Sequence, residues 1–497
     1  MLEAFLLISM ILGLTALTVR AEAQHDSSRF VKEFPLPKGS NPFAISSDSS
    51  GNIWLSLRNF SSIAKLDPKT GKVEEFSIPS KSKVLQIWSM TFDAKGNLWF
   101  SDATENKIRK FELSSSKFYE FLIPTPDAQP WGIILDAKGY VWFAGFNSSK
   151  LGKLDTTIAK NGTSEGFTEF STPTNTSLPS YLLFDGNNSL WLMESGPAKL
   201  AKFDLSSSKF TEYPLPRTAN SSTNPIGIAL DLEGKIWYTQ FRTSNIGRFD
   251  PRAVTVEQFA TGLLTGAAYG ITSDREGNIW TIQQRVDRIV KIVPKDITIS
   301  EFRIPTNQSF TESITIDPSG NVWFVETAGH NAGMLAANTK LPIKVNLPAS
   351  KFTVSPMGRL RVPVTFEGSE VGSFFPHLRA SMTATGNVIN ASFAFSPDLI
   401  QMNSEGKATS ELTLTANNLL PGDYKFVVGF TDRGLNFYQG RFFDLTVEKG
   451  GIEFLPALVI IAALLGAVIY FAVYRMKLGA IRNVPRTAPP QPLSKDG

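Results

Sequence analysis

Gly51-Asn52-Ile53-Trp54, Gly96-Asn97-Leu98-Trp99, Gly277-Asn278-Ile279-Trp280 and Gly320-Asn321-Val322-Trp323 are four copies of one phrase. Looser copies, Gly139-Tyr140-Val141-Trp142, Asn188-Ser189-Leu190-Trp191 and Gly234-Lys235-Ile236-Trp237, fill the interval between the second and the third. The seven tryptophans stand 45, 43, 49, 46, 43 and 43 residues apart. A period of about 40 to 50 residues built from short alternating strands marks a β-propeller, with one four-stranded blade per repeat. The spacing predicts an all-β fold with seven blades over residues 30–340.

Around each tryptophan the order of segments repeats as well. An inner strand ending in Asp, as in Ile228 to Asp231, leads through a Gly turn into the tryptophan strand, and a third strand follows, as in Ile246 to Asp250. An outer strand of the form F-x-E-F/Y-x-x-P closes the unit, at Val73 to Pro79, Phe118 to Pro124, Phe167 to Pro173 and Phe210 to Pro216. Proline fits there because an edge strand loses least when a ladder donor is missing. Phe30 to Pro37 has this outer-strand form but precedes every tryptophan, so it is predicted to complete blade seven and close the ring. Pro342 to Leu347 is the competing candidate for that strand.

Composition narrows the functional classes. With 42% hydrophobic and 19% charged residues, the 497-residue chain is globular rather than disordered. A net charge of +4, without a dense basic stripe, argues against nucleic acid as a partner. The absence of cysteine excludes disulfides, thiolate metal sites and thiol nucleophiles. His25, His330 and His377 are the only histidines, which leaves little material for histidine-based metal or acid–base chemistry.

Beyond the propeller the tryptophan phrase disappears. Residues 341–448 read as alternating strands, at Phe352 to Val354, Leu360 to Phe366, Ala391 to Phe395, Ser410 to Leu414, Tyr424 to Phe430 and Arg441 to Val447. This pattern predicts an immunoglobulin-like β-sandwich, placed as a stalk. Both chain ends address a membrane. Residues 1–23 read as a signal peptide, with an apolar run from Phe5 to Leu17 followed by Ala21-Glu22-Ala23. Within 452–474, Phe454 to Tyr474 carries no charge and would span about 31 Å as a helix, long enough to cross a bilayer. Arg475, Lys477, Arg482 and Arg486 follow it, which orients the 475–497 tail to the cytoplasm and the propeller to the outside. The chain is thus predicted to be a single-pass cell-membrane protein. Eight N-x-S/T sequons, at Asn59, Asn147, Asn161, Asn175, Asn187, Asn220, Asn307 and Asn390, are candidate glycosylation sites.

The blade phrase, with companions such as Ser244-Asn245-Ile246-Gly247-Arg248-Phe249-Asp250 and the outer F-x-E-F-x-x-P, resembles the virginiamycin B lyase (streptogramin lyase) propellers over about Phe30 to Lys340. The resemblance implies a carbon–oxygen lyase that opens a cyclic ester using Mg²⁺ and a histidine base. Where the family pattern has its two histidines, this chain has Tyr269 and Glu312, whereas Glu326 matches the family glutamate. Catalytic candidates carried over from the resemblance are therefore Glu326, Tyr269 and Glu312, and Mg²⁺ or Ca²⁺ would be held by Glu312 and Glu326.

The positions two before each inner-strand aliphatic give Phe43, Trp88, Trp131, Ser180, Ile226, Tyr269 and Glu312. Those three after each tryptophan give Leu57, Asp102, Gly145, Glu194, Gln240, Gln283 and Glu326. Together they predict a funnel lined by Phe43, Trp88, Trp131 and Tyr269, with Gln240, Gln283, Arg242, Arg285 and the acids near its rim. Flat aromatics beside amides and charges suit a glycan or another polar ring. The same aromatics could instead plug the channel as core. Two functions follow: an extracellular propeller that binds a glycan, small molecule or protein ligand at the cell surface, or a divergent metal-dependent enzyme of the streptogramin-lyase type.

Overall fold

The computed structural model describes residues 29–449 apart from 217–223, 244, 262–266, 369–372, 381–390, 418, 433 and, for side chains, a few strand-end positions. The predicted signal peptide (1–23), membrane helix (452–474) and tail (475–497) lie outside the described residues, as do Asn220 and Asn390. Among the described residues no helix is long and apolar enough to cross a membrane. Among the described residues two short 3₁₀ turns, Arg58–Phe60 and Gln284–Val286, interrupt an otherwise all-β fold.

Seven four-stranded antiparallel units follow the tryptophan period. Their inner strands are Pro42–Ser47, Met90–Phe92, Pro130–Leu135, Pro179–Phe184, Pro225–Leu230, Ala268–Ser273 and Thr311–Ile316, numbered here as blades one to seven. What the phrase does is visible in the turn between the first two strands of each blade. The Asp that ends the inner strand accepts the indole N–H of the blade tryptophan in all seven units, from Asp48 to Trp54 at 3.1 Å through Asp317 to Trp323 at 2.9 Å. Its other oxygen accepts backbone N–H groups two and four residues on, as Asp93 does from Lys95 and Asn97. Where the phrase has Asn, its side-chain amide donates to the same carboxylate, at 2.9 Å for Asn52 and Asn97 and 2.8 Å for Asn278 and Asn321. The turn also requires a positive φ, supplied by Gly96 at 81° and, in the looser fourth copy, by Asn188 at 63°. Burial opposes ionisation of Asp93, but the bonds from Trp99 and Asn97 outweigh it and hold the carboxyl below the ordinary range.

The ring closes as the outer-strand reading expects. Val31–Pro35 pairs antiparallel with Asn331–Leu335, Val31 opposite Leu335 and Pro35 opposite Asn331, so the N-terminal strand is the fourth strand of blade seven. The competing segment, Ile343–Asn346, pairs instead with Arg359–Gly368 in the second domain.

That domain packs two sheets around one apolar core containing Val362, Val364, Phe366, Leu412, Leu414, Phe426, Val428 and Phe430. One sheet orders Ile343–Asn346, Arg359–Gly368, Lys407–Thr415 and Ser392–Ser396. The other does not end at the domain boundary. Its strand Phe437–Val447 pairs with Thr298–Arg303, the outer strand of blade six, with Thr298 opposite Arg441 and Phe302 opposite Phe437. Blade six and half of the sandwich thus form one nine-stranded sheet. Phe259, Ile299, Val427, Tyr438 and Phe442 bury the seam, and Arg379 pairs with the fully buried Glu301 while lying 3.6 Å over the Tyr438 ring. The expected stalk is joined to the propeller through backbone hydrogen bonds and covers an edge that would otherwise be open.

Candidate functional site

Inner-strand geometry sets which side chains reach the axis. In six of the seven blades the pairing of inner and tryptophan strands shifts register just after the first inner residue, between Pro42 and Ile45, Pro130 and Ile133, Pro179 and Leu182, Pro225 and Ile228, Ala268 and Ile271, and Thr311 and Ile314. A bulge re-aims the residues it contains, and those residues include Phe43, Trp131, Ser180, Ile226, Tyr269 and Glu312. The glycine after three of them is needed for close approach of the next inner strand. A Cβ on Gly132 would meet the Ser180 carbonyl oxygen at 2.5 Å, and one on Gly270 the Glu312 carbonyl oxygen at 2.6 Å.

Much of the predicted funnel is filled by its own lining. Phe43 meets Trp88 edge-on at 4.7 Å, Trp88 stacks on Trp131 at 4.2 Å, and Trp131 tilts against Phe146 at 4.6 Å. Phe43 and Tyr269 are buried in one apolar cluster with Leu85, Ile87 and Ile226. The Arg58 guanidinium lies 4.7 Å from the Phe43 ring centre and 5.6 Å from that of Trp88. Phe43 and Tyr269 are therefore core rather than open lining, whereas Trp88 and Trp131 are half-buried. Space remains on one side. A cavity of about 260 Å³ lies between blades three, four and five, lined by Trp131, Phe146, Ser180, Ser195, Ile226 and Arg242 among others. Ser180 Oγ donates to the Ile226 carbonyl at 2.9 Å and Ser195 Oγ to the Pro225 carbonyl at 2.6 Å, which fixes that wall, while Arg242 is exposed at its mouth.

The positions three after each tryptophan lie elsewhere. Asp102, Glu194, Gln240, Gln283 and Glu326 end their strands fully buried and turn into the blades, not to the rim as expected. Asp102 Oδ2 pairs with Arg109 Nε at 2.8 Å, and Arg109 also reaches Glu105 and Glu120. Gln240 Oε1 accepts from Thr243 Oγ1 at 2.8 Å, and Gln283 Nε2 donates to Thr261. Glu326 accepts from Asn331 at 3.1 Å. Burial first, and then the neighbouring carboxylate of Glu33, raise its pKa to about 8. Burial, reinforced by Glu212, raises Glu194 likewise to about 8. The glutamate of the outer F-x-E-F motif explains itself here, because it ties down the loop leaving the preceding blade. Glu169 accepts from Thr125 at 2.7 Å, Glu212 from Thr174 at 2.8 Å, and Glu33 from the Thr306 backbone N–H at 2.9 Å.

Glu312 is the acid that does stand at the axis. It accepts from Gln284 Nε2 at 3.2 Å and from Thr327 Oγ1 at 3.3 Å. Burial raises its pKa to about 7, with Arg58 pulling the other way. Burial also drives the Tyr269 hydroxyl well above its ordinary value, helped by Tyr181 and Glu312. Arg285 lies 5.4 Å over the ring of Phe241, which itself meets Tyr269 edge-on at 5.8 Å. Glu312 is held by Gln284 and Thr327 and Glu326 by Asn331, and among the described residues no three carboxylate or imidazole groups gather where they could hold a metal ion. Hard divalent cations need several converging oxygens, so the expected Glu312–Glu326 pair does not fit one.

Arg58, Phe146, Ser195, Phe241, Gln284 and Thr327 were not among the expected site residues, yet all stand beside the axial ring. Each is four, not three, residues after its blade tryptophan. Period-2 alternation was the available signal: a one-residue change of position moves a side chain to the other face. Of the sequons, Asn59, Asn147, Asn161, Asn175, Asn187 and Asn307 are exposed.

The profile of the virginiamycin B lyase family matches residues 29–334. Among solved structures, a streptogramin B lyase is 26% identical, with 62% of this chain and 98% of that one covered at a TM-score of 0.56. The virginiamycin B lyase of Staphylococcus aureus is 21% identical, with the same coverage and a TM-score of 0.55. A catalytically inactive variant of that enzyme with quinupristin is 22% identical, also at 0.55. No curated protein matches.

Proposed function

The chain belongs to the virginiamycin B lyase family, and we propose that its propeller serves as a ligand-binding module outside the cell, ahead of an immunoglobulin-like sandwich and one C-terminal membrane helix. The observation that carries this reading is the state of the two positions where the family pattern has histidine. Tyr269 is packed into core with its hydroxyl proton held tightly, and among the described residues no metal-binding group of acids accompanies Glu312. Among the described residues, a cavity beside the axis next to Trp131 is open. It offers an aromatic face, serine hydroxyls and one exposed guanidinium, which suits a flat polar ring such as a sugar carrying an anionic or hydroxyl-rich edge. Calorimetric titration with a panel of acidic and neutral oligosaccharides tests it. A binder should emerge whose affinity falls about tenfold or more in Arg242→Ala, since a charge-assisted contact contributes about 1.5–3 kcal/mol. Binding unaffected by Arg242→Ala and by Ser195→Ala would remove the cavity from consideration.

One observation favours the lyase alternative. A carboxyl with a pKa of about 7 is matched to proton abstraction near neutral pH. Glu312 would take a proton from the carbon next to the one that bears the ester oxygen, on the alcohol side, as that carbon–oxygen bond breaks, the carboxylate leaves and a carbon–carbon double bond forms, without water. Incubation with a cyclic depsipeptide such as quinupristin decides between the readings. Turnover that rises through about pH 7 and vanishes in Glu312→Gln would replace the binding reading with the enzymatic one.

A further inference from the structure

We propose that the free end of the sandwich, carrying Met357 and Leu420, inserts into the interfacial layer of a lipid bilayer. This rests on the reading that 452–474 spans the membrane. Strand pairing places several segment ends together. Val354 and Gly422 both pair with Val447, the last residue of the final strand, and Arg359 pairs with Thr415. The turn 355–358 and residues 416–417 and 419–421 therefore flank the point where the chain leaves the sandwich, and the Ala416 N–H donates to the Gly358 carbonyl at 3.0 Å to join them.

At the tips of these turns Leu420 is 77% and Met357 74% exposed. Tyr424 donates its hydroxyl to the Leu420 carbonyl at 2.6 Å, which holds the tip in place and sets an amphipathic ring beside it. Exposed Arg359 supplies a cation at the same end, while the exposed Asp423 is engaged by Thr446 Oγ1. Apolar tips with a tyrosine and a flanking arginine match the headgroup boundary, where such side chains partition. The uncharged run begins at Phe454, seven residues after Val447, so the connecting chain reaches at most about 25 Å. A lipid surface is thus the occupant that covalent connectivity delivers to this end. Leu232, 75% exposed in a propeller turn, has no such connection and serves as a reference.

The chain has no cysteine, so single-cysteine labelling of the full-length protein is unambiguous. Leu420→Cys, Met357→Cys, Leu232→Cys and Ala463→Cys would each carry an environment-sensitive fluorophore in phosphatidylcholine vesicles containing lipids spin-labelled either near the headgroup or deep in the acyl chain. The expected result is a blue shift with loss of emission at 420 and 357 from the shallow quencher, no change at 232, and loss at 463 from the deep quencher. Quenching at 463 with 420 and 357 behaving like 232 would overturn this proposal and leave the membrane helix standing. No quenching at 463 would overturn the membrane helix and the proposal together. A blue shift at 420 without lipid quenching would assign the tip to a protein partner and overturn it as well.

Discussion

Blades two and seven carry an acid at the same place, three residues after the blade tryptophan, and treat it in opposite ways. Asp102 is buried with a cation: Arg109 pairs with it directly and extends to Glu105 and Glu120. Glu326 is buried with an amide, Asn331, and faces another acid, Glu33. The third strand decides the difference, since it supplies an arginine in one blade and an asparagine in the other. Burial outweighs the arginine enough to raise the Asp102 pKa somewhat, but raises that of Glu326 to about 8. Blade two thus contains an ion cluster, and blade seven a carboxyl group that burial and a neighbouring acid push toward its protonated form. A residue can match a family motif by type and still be in a protonation state set by its local neighbours.

Removing the cation from blade two should have the largest effect. Arg109→Ala leaves Asp102 buried without its partner, and denaturant unfolding should show a loss of about 3–5 kcal/mol. A loss under about 1 kcal/mol would mean that Asp102 is already uncharged and that the two blades are alike.

Next in size is the pH dependence of blade seven. The pKa of Glu326 lies above its ordinary 4.5, at about 8, so over that window the folded chain keeps a proton that the unfolded chain has released. The contribution of Glu326 to stability is therefore greatest at the acid end of that window and declines as pH rises from about 4.5 to about 8. Glu326→Gln, which cannot ionise, should flatten this decline and be the more stable form at the alkaline end, by an amount on the order of a few kcal/mol. Parallel slopes for the two proteins in pH-resolved thermal melts would show that Glu326 is ionised in the fold. Glu194→Gln should repeat the effect in blade four, where Glu194 is raised to about 8 by burial and Glu212.

The smallest effect is expected when both halves of the blade-two pair go at once. Asp102→Asn with Arg109→Met removes the charge and its partner together, and the double variant should lie within about 1–2 kcal/mol of the parent because buried pairs and apolar replacements are often near-equivalent. A double variant as damaged as Arg109→Ala alone would point to Glu105 and Glu120 as the groups that need the arginine.

The blade count and ring closure were legible because they rest on local chemistry that repeats. Asp, Gly and Trp at fixed offsets make one hydrogen-bonded turn, and seven turns make a period. Phe30 to Pro37 was readable for the same reason, as an outer strand whose blade had to be elsewhere. The axial residues were half legible. Their positions on the inner strands could be counted, but the bulge that aims them and the stack from Phe43 to Phe146 are products of seven blades meeting. On the neighbouring strand the count fell one residue short, which exchanged Glu326 for Thr327 and Gln283 for Gln284. The pairing of blade six with the sandwich left almost no local trace. Thr298–Arg303 has the composition of any other outer strand, and a free edge differs from a covered one only in what approaches it.

That shared sheet has a mechanical meaning. The strand Phe437–Val447 is the final strand of the sandwich, and it is hydrogen-bonded on one side to Gly422–Asp432 and on the other to blade six, with Lys351–Val354 running parallel at its end. Tension applied at Val447 runs along this strand, so the flanking hydrogen bonds bear it together in shear rather than opening one after another like a zipper. Blade six receives part of that load directly through its ladder. A pull or torque on the propeller face would accordingly reach the sandwich without passing through a flexible linker, and the two domains would turn as one lever.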